Sequence, residues 1–270
     1  MAAIITKITA QKRNKSRYNL YLDRGSGEEY ACSVDEDVLI KYHLRKGLKL
    51  QDEELSRLLE EDEMKKAYHL ALHYLSYRMR SIDEVRSYLQ KKEKKPSDIE
   101  AVIAKLLEQR LLNDGEFARA YIRSKKNSLL RGPFKLKQEL LQKGVKADVV
   151  DQALMEFPAG EQEERIAAWL QKQQSRSPKL SEQAWRTKLA NQLMSKGFTR
   201  EVITAALQQV ELTNSADEEW EAVVHQGEKL FRKYTKYEGW ERQQRIKQAL
   251  YRKGFSLEII ERFLTEHELK

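Results

Sequence analysis

One short pattern recurs three times in this chain of 270 residues and limits what the chain can fold into. It reads KGVKADVVDQAL at 143–154, KGFTREVITAAL at 196–207 and KGFSLEIIERFL at 253–264. Glycine suits the left-handed residue that ends a helix, because it has no Cβ to clash with the backbone. Thr199 and Ser256 then suit the N-cap of a second helix with an apolar face. The pattern predicts a helix–turn–helix corner that occurs three times.

A fourth, diverged copy lies upstream in the stretch SIDEVRSYLQKKEKKPSDIEAVIAKLL. Ser81 with Glu84, and Ser97 with Glu100, have the spacing of capping boxes, which predicts two helix starts. The longer turn at 91–96 stands in place of the Lys-Gly pair. We therefore expect a corner here too, with a different turn.

Another segment with apolar residues at helical spacing precedes each corner, at 64–78, 114–126, 161–174 and 216–234. Each unit is thus three helices in about fifty residues, too small to bury a large core alone. Tandem units can bury each other's ends. We predict a mainly α fold of tandem three-helix repeats that form an elongated, curved solenoid. The expected repeats are 63–112, 113–158, 159–212 and 213–270.

The N-terminal segment has a different pattern. Residues 3–11, 16–23 and 28–35 are rich in Ile, Thr, Tyr and Val, as strands are. The Gly-Ser-Gly at 25–27 is typical of a hairpin turn. We predict a small antiparallel β segment over 1–34 and a helical connector over 35–62, so that 1–62 forms the first domain.

The composition narrows the class of protein. The formal net charge is +8, the pI is about 9.3 and the mean hydropathy is −0.75. An excess of positive charge favours polyanionic partners such as nucleic acid, a membrane surface or an acidic protein. No apolar run approaches the length of a transmembrane helix. The single cysteine, Cys32, permits no internal disulfide, so we expect a cytoplasmic protein with no membrane partner.

The sharpest charge feature is a basic stripe at 116–146. Its cations are Arg119, Arg123, Lys125, Lys126, Arg131, Lys135, Lys137, Lys143 and Lys146, and Tyr121 and Phe134 lie among them. Within this window Glu116 and Glu139 alone oppose them. Such a stripe could neutralise phosphates or carboxylates; the alternative is a solvated helix surface. A second run of cations is predicted to lie at a hairpin tip: Lys12, Arg13, Lys15 and Arg17. It could contact nucleic acid; the alternative is a solvated turn.

Catalytic and metal-binding patterns are weak in this sequence. His69 and His73 are four residues apart, but no third metal ligand is evident nearby. Neither G-x-x-x-x-G-K-[ST] nor G-x-G-x-x-G occurs, so no nucleotide cofactor is expected. We predict a protein that is not an enzyme, has no cofactor and binds no metal. Of the four tryptophans we expect most to be core, with one exposed contact residue as the alternative.

Three motifs carry a resemblance to a known family: ALHYLSYRMRSIDEVRSYLQKK, LLNDGEFARAYIRSK and RGPFKLKQELLQKGV. Together they resemble the regulatory protein RecX over about 64–157, and more weakly to the C-terminus. The first repeat lacks the Lys-Gly-Phe corner of the family. The extended N-terminus and the fourth repeat resemble the longer form. The resemblance implies a non-catalytic, monomeric regulator of the RecA recombinase in homologous recombination and DNA repair.

The resemblance further implies binding to the RecA–single-stranded DNA filament and inhibition of its ATPase, extension and strand exchange; some family members also bind DNA. Carried over by motif and charge, the candidate RecA- or DNA-binding residues are Arg78, Arg80, Arg119, Tyr121, Arg123, Lys125, Lys126, Arg131, Lys135 and Lys137. Phe117 matches the same motif and is expected to anchor its helix in the core. The alternative is a helical-repeat protein that binds DNA directly through its basic face. The pattern leaves open whether the chain restrains or assists RecA.

Overall fold

A computed structural model of the chain describes residues 2–12, 14–174, 179–210 and 215–268. The strands in these ranges are β1 (Ala2–Ala10), β2 (Arg17–Asp23), β3 (Glu28–Asp35) and β4 (Lys49–Gln51). The helices are α1 (Glu36–Lys41), α2 (Asp52–Ser76), α3 (Ile82–Lys91), α4 (Pro96–Glu108), α5 (Asp114–Ser128), α6 (Pro133–Gln142), α7 (Ala147–Leu154), α8 (Ala159–Gln174), α9 (Glu182–Ser195), α10 (Arg200–Gln209), α11 (Ala216–Lys233), α12 (Gly239–Arg252) and α13 (Leu257–Glu268). The prediction of a mainly α repeat protein with a small N-terminal antiparallel sheet is confirmed.

The N-terminal sheet is antiparallel in the order β3-β2-β1-β4. Gly25 and Gly27, both at positive φ, form the predicted turn between β2 and β3. Leu20 and Leu22, two residues apart on β2, are buried in one core with Ile5 of β1, as the period of a strand requires. The sequence did not predict β4, because three residues are too few to show an alternating pattern. The expected helical connector over 35–62 is therefore interrupted by this strand.

Helix α2 is shared by the sheet and the first repeat. Leu55 and Leu58 near its start belong to the core beneath the sheet. Ala67 and Ala71 near its end belong to the core of the first repeat, with α3 and α4. One continuous helix therefore connects the two, and the proposed boundary between residues 62 and 63 lies inside it.

A buried carboxylate joins α2 to the sheet. Asp62 is almost fully buried, and its oxygens accept hydrogen bonds from the Arg17 guanidinium at 2.8 Å and the Asp35 backbone N–H at 2.8 Å. Lys66 lies 2.9 Å from the same carboxylate. A buried charge is tolerated when it has partners of this kind, so Arg17 serves the fold.

Three-helix groups follow along the chain: repeat 1 (α2–α4), repeat 2 (α5–α7), repeat 3 (α8–α10) and repeat 4 (α11–α13). The internal contacts divide the chain into unit 1 (Met1–Phe117 with Lys143–Val145) and unit 2 (Ala118–Gln142 with Lys146–Lys270). The apolar faces expected for these helices are buried, for example Ile166 and Leu170 on α8 and Ile260 and Phe263 on α13. Among the described residues no helix is both long and apolar enough to cross a bilayer.

The helix–turn–helix corners at the three Lys-Gly copies have the conformation that the sequence predicts. Gly144, Gly197 and Gly254 have φ values of 74°, 92° and 86°, which is the left-handed conformation predicted for them. The Thr199 hydroxyl accepts a hydrogen bond from the Val202 N–H and caps α10.

The start of α4 differs from the prediction. Ser81 and Glu84 form the expected capping box at α3. The second predicted capping box, at Ser97 and Glu100, is wrong, because α4 begins one residue earlier at Pro96 with Lys95 as N-cap. Proline has a fixed φ that suits the first helical position, and this preference places Ser97 inside the helix.

Each Lys-Gly corner packs against the start of a helix in the preceding repeat. The lysine carbonyl accepts a hydrogen bond in all three cases: Lys143 from the Ser81 hydroxyl at 2.6 Å, Lys196 from the Gly132 N–H at 2.8 Å, and Lys253 from the Ser181 hydroxyl. We call these contacts the repeat joints. The recurring Lys-Gly pair thus marks where one repeat meets the one before it.

Candidate functional site

Eight of the ten predicted contact residues lie on α5, on α6 or between them, in unit 2: Arg119, Tyr121, Arg123, Lys125, Lys126, Arg131, Lys135 and Lys137. We call this set the α5–α6 surface. Arg119 and Arg123 are four residues apart and therefore share a face of α5. The Arg123 side chain is exposed, and the described residues offer it no hydrogen bond or ion pair. The Arg119 Nε lies 3.8 Å from a Glu156 carboxylate oxygen, so this cation already has a partner.

Tyr121 connects the two helices of this surface. Its hydroxyl donates a hydrogen bond to a Glu139 carboxylate oxygen at 2.9 Å. The Arg131 Nε lies 3.7 Å from the other oxygen of the same carboxylate. The Lys125 ammonium stands 5.5 Å from the centroid of the Tyr121 ring, within the range of a cation–π contact. Tyr121 and Arg131 therefore hold α5 to α6.

Lys126 is a structural cation. Its side chain is only 13% exposed and its ammonium lies 2.8 Å from Glu161. Arg165 donates a second hydrogen bond to the Glu161 carboxylate and one to the Lys126 carbonyl at 2.7 Å, so it ties the end of α5 to α8. The hydrogen bond from Lys126, supported by that from Arg165, lowers the pKa of Glu161 in spite of desolvation.

On α6 the two lysines have different surroundings. The Lys137 ammonium lies 2.5 Å from an Asp151 carboxylate oxygen on α7. Lys135 has no carboxylate partner among the described residues. Phe134 beside it is exposed over 62% of its surface, which is unusual for a large aromatic side chain. This part of α6 thus presents a cation and an aromatic ring to the solvent.

Arg78 and Arg80 belong to unit 1 and support repeat 1. The Arg78 guanidinium donates two hydrogen bonds to Glu84, at 3.0 and 3.1 Å, and Lys143 reaches the same carboxylate at 2.8 Å. Burial raises the pKa of Glu84, but these hydrogen bonds outweigh it and lower the pKa to about 2. The Arg80 guanidinium lies 3.9 Å from the centroid of the Tyr74 ring. Both arginines therefore make intramolecular contacts.

The basic stripe has more carboxylate partners than its sequence window contains. Only Glu116 and Glu139 oppose it between residues 116 and 146. The fold brings Asp151, Glu156 and Glu161 to its cations from further along the chain. The expectation of a nearly unopposed stripe is therefore wrong, because a linear window cannot contain charges contributed by the next helices. The cations of the stripe that keep no carboxylate partner among the described residues are Arg123, Lys125, Lys135 and Lys146; the first three belong to the α5–α6 surface.

The hairpin tip between β1 and β2 carries Lys12 and Lys15, both exposed, while Arg13 lies outside the described residues. His69 approaches Asp35 at 3.4 Å, and His73 lies 3.1 Å from the Tyr77 hydroxyl. In the described ranges no three His, Cys, Asp or Glu side chains converge in a way that could hold a metal ion.

The comparisons with known proteins agree along nearly the whole chain. Residues 3–51 match the family model of the regulatory protein RecX N-terminal domain, 67–106 the first RecX three-helix domain and 113–154 the second. The model of the third RecX three-helix domain matches twice, at 161–207 and 217–264. Repeats 3 and 4 are therefore two copies of one domain type.

Among curated relatives, the regulatory protein RecX of Halalkalibacterium halodurans is 52% identical over 265 residues, which cover 98% of this chain and 100% of the relative. That of Bacillus cytotoxicus is 42% identical over 262 residues and covers 97% of each chain. A crystal structure of regulatory protein RecX matches 76% of this chain and all of its own, with 33% identity and a TM-score of 0.65. The RecX structure from Lactobacillus salivarius matches 56% of this chain and 99% of its own, with 30% identity and a TM-score of 0.54. The chain belongs to the RecX family of regulatory proteins.

Proposed function

We propose that this protein is a non-enzymatic regulator that binds the RecA–single-stranded DNA filament and inhibits its ATPase, extension and strand exchange. Membership of the RecX family supports the regulatory role. The observation that carries the binding site is the set of cations on the α5–α6 surface that have no carboxylate partner among the described residues: Arg123, Lys125 and Lys135. These side chains can meet an acidic protein surface or a phosphate backbone without first breaking an ion pair.

The other cations of the set have a different role in this proposal. Arg119, Arg131, Lys126 and Lys137 each have a carboxylate partner. A partner surface would have to displace that carboxylate before it gained the cation. Exchange costs little at an exposed pair, but more where the ion pair is partly buried, as at Lys126. We therefore assign the filament contact first to Arg123, Lys125 and Lys135.

The test is the single-stranded-DNA-dependent ATPase of the cognate RecA, with this protein titrated from well below one molecule per RecA. Inhibition at strongly substoichiometric ratios is the expected result, because a regulator at a filament end affects every subunit that would join there. A protein that lowers the ATPase only at stoichiometric amounts, or leaves it unchanged, contradicts the proposal.

Charge reversal locates the contact. Arg123→Glu combined with Lys125→Glu should weaken inhibition at least about tenfold, because each reversal removes an attraction and adds a repulsion at the interface. Lys188→Glu on α9 is the matched control, since Lys188 is also an exposed mid-helix cation, and it should inhibit like the wild type. Equal inhibition by all three folded proteins would remove the α5–α6 surface from the proposal.

The second candidate function is direct DNA binding that needs no RecA. The same free cations and the net charge of +8 favour it. A complex held by phosphate contacts loses affinity steeply as salt is added. Tight, salt-sensitive binding to bare DNA, together with an unchanged RecA ATPase, would select this candidate over the first.

A further inference from the structure

The four tryptophans differ in exposure. Trp185 on α9 is 5% exposed, and Trp169 and Trp220 are half-buried. Trp240, the second residue of α12, is exposed over 75% of its surface. A ring left in solvent forgoes the free energy that its burial would contribute. Tryptophan is also among the residues that most often anchor protein–protein interfaces.

The matching position of repeat 3 is a contact between repeats. Gln183 on α9 stands 14 residues before Gly197, as Trp240 on α12 stands 14 residues before Gly254. Gln183 belongs to the repeat joint with repeat 4, because a Cβ on Gly254 would come within 2.8 Å of the Gln183 Cβ. Trp240 therefore occupies a helix position that serves for packing elsewhere in this fold.

A cleft in unit 1 can hold a side chain of this kind. It lies between β3 and α2 and has a volume of about 330 Å³. Two of its lining residues, Leu22 and Leu55, are buried, while Tyr30 and Leu59 are 58% and 38% exposed. We call it the β3–α2 cleft. Exposed apolar side chains around a concave surface are typical of a place where a partner's anchor residue binds.

The surroundings of the tryptophan and of the cleft carry opposite charges. Residues 229–245, which contain Trp240, have six cationic and two anionic side chains. Residues 52–60 of α2, beside the cleft, have four exposed carboxylates and one arginine, and Glu29 lines the cleft itself. Arg24 also lines the cleft and lies 3.6 Å from Asp52. Opposite charges attract and like charges repel, so each of these two surfaces suits the other better than a second copy of itself.

We propose that copies of this chain associate head to tail, with Trp240 of one copy seated in the β3–α2 cleft of the next. Each copy brings one tryptophan and one cleft, so the contact is heterologous, and a molecule that has used its tryptophan keeps its cleft for another. The attraction between the basic segment and the acidic part of α2 orients the two copies before the ring is buried. The association departs from the monomer that the family resemblance implies, and it needs neither RecA nor DNA.

Sedimentation velocity of the full-length protein tests the association at low salt, over roughly 1 μM to 1 mM, the range of weak contacts. The mass should rise above the 31.8 kDa of one chain, and added salt should oppose the rise because the charges are exposed. Trp240→Ala should weaken the association at least about 30-fold, the loss expected of an anchor residue. Tyr251→Ala is the matched control, since Tyr251 is also an exposed aromatic residue of α12, and it should associate like the wild type.

A mixture of two variants identifies the two halves of the contact. Leu59→Lys places a cation at the cleft, where it repels the basic segment of the next copy, so this variant alone should stay monomeric. Lysine is a good helix former with an aliphatic stem, so α2 should be preserved, and circular dichroism checks this. Trp240→Ala keeps the cleft and Leu59→Lys keeps the tryptophan. An equimolar mixture of the two should therefore form a dimer that grows no further.

Four results would overturn the proposal. The first is wild-type protein that stays monomeric over the whole concentration range, and the second is Trp240→Ala protein that associates like the wild type. The third is self-association of Leu59→Lys alone, which would mean that the tryptophan meets another surface, for example a second tryptophan. The fourth is a mixture of the two variants that stays monomeric, since one intact tryptophan and one intact cleft would then not suffice for the contact.

Discussion

The first corner of the repeat array and the three later ones have the same kind of backbone turn but different residues at its centre. At the end of α3 the Glu93 N–H donates to the Gln90 carbonyl and the Lys94 N–H to the Leu89 carbonyl. At the end of α9 the Gly197 N–H donates to Met194 and the Phe198 N–H to Leu193, and the end of α12 repeats the pattern. Glu93 has a φ of 56°, so it adopts the left-handed conformation that glycine adopts in the later corners. The turn itself therefore does not require glycine.

What differs is the neighbour of the central residue. A Cβ added to Gly144 would overlap the Asp83 side chain. One added to Gly197 would lie 2.5 Å from the backbone nitrogen of Lys135, and one added to Gly254 would lie 2.8 Å from the Gln183 Cβ. Glu93 is exposed. In the part of the chain that the structure describes, no three-helix repeat precedes repeat 1, whereas each later corner forms a repeat joint. The comparison shows that glycine in this family pattern is required by the contact between repeats.

The largest effect should come from adding one methyl group at a repeat joint. Gly197→Ala should lower the free energy of unfolding by about 2–4 kcal/mol, because it combines the left-handed conformation with an overlap at Lys135. Glu93→Ala keeps the same backbone conformation without a neighbour and should change stability by less than about 0.5 kcal/mol. Urea unfolding of the full chain, followed by circular dichroism, measures both. Equal midpoints for the two variants would show that the close approach at Gly197 is not required.

The hydroxyls at two joints provide the next test. Ser81 caps α3 and also donates to the Lys143 carbonyl, and it is fully buried. Ser81→Ala removes both bonds and should cost about 1–3 kcal/mol. Ser215 caps α11 with the same type of capping box but is exposed, so Ser215→Ala should cost about 1 kcal/mol or less. The difference between the urea midpoints of the two variants measures the hydrogen bond from the Ser81 hydroxyl to the Lys143 carbonyl. Equal midpoints would mean that this bond contributes nothing to stability.

The corners could be predicted from the sequence because their chemistry is local. A glycine, a hydroxyl N-cap and an apolar face lie within a dozen residues, and α10 and α13 form where this pattern places them. The joints could not be predicted, since Ser81 meets a carbonyl 62 residues further along the chain. The same limit applies to the site. The positions of Arg123 and Lys125 on α5 follow from helical spacing. Glu161, whose carboxylate forms an ion pair with Lys126, comes from another repeat and could not be predicted.

Acid should weaken the first joint. The pKa of Glu84 is about 2 in the folded protein, against about 4.5 when unfolded, so the stability it contributes is fully present above pH 4.5 and is lost as the pH falls towards 2. Glu84→Gln should lower the free energy of unfolding by about 1–2 kcal/mol at pH 7, a value reduced for partial solvent screening. The difference in the free energy of unfolding between Glu84→Gln and the wild type should be smaller at pH 3 than at pH 7. Urea titrations at the two pH values test this, and a difference that does not change with pH would contradict the assigned role of the carboxylate.

The smallest effect should be a gain in stability at the first corner. Glu93→Gly relieves a left-handed glutamate, which costs about 1–2 kcal/mol, but it also gives the unfolded chain more freedom, which offsets about 0.4–1 kcal/mol. We expect a net gain of about 0.5–1 kcal/mol, measured as a higher urea midpoint than that of wild type and of Glu93→Ala. The Gly197→Ala variant shows the opposite sign at the same position of the turn. A loss of stability in Glu93→Gly would mean that the glutamate side chain makes a contact that matters to the fold, and the first corner would then differ from the others by more than the absence of a preceding repeat.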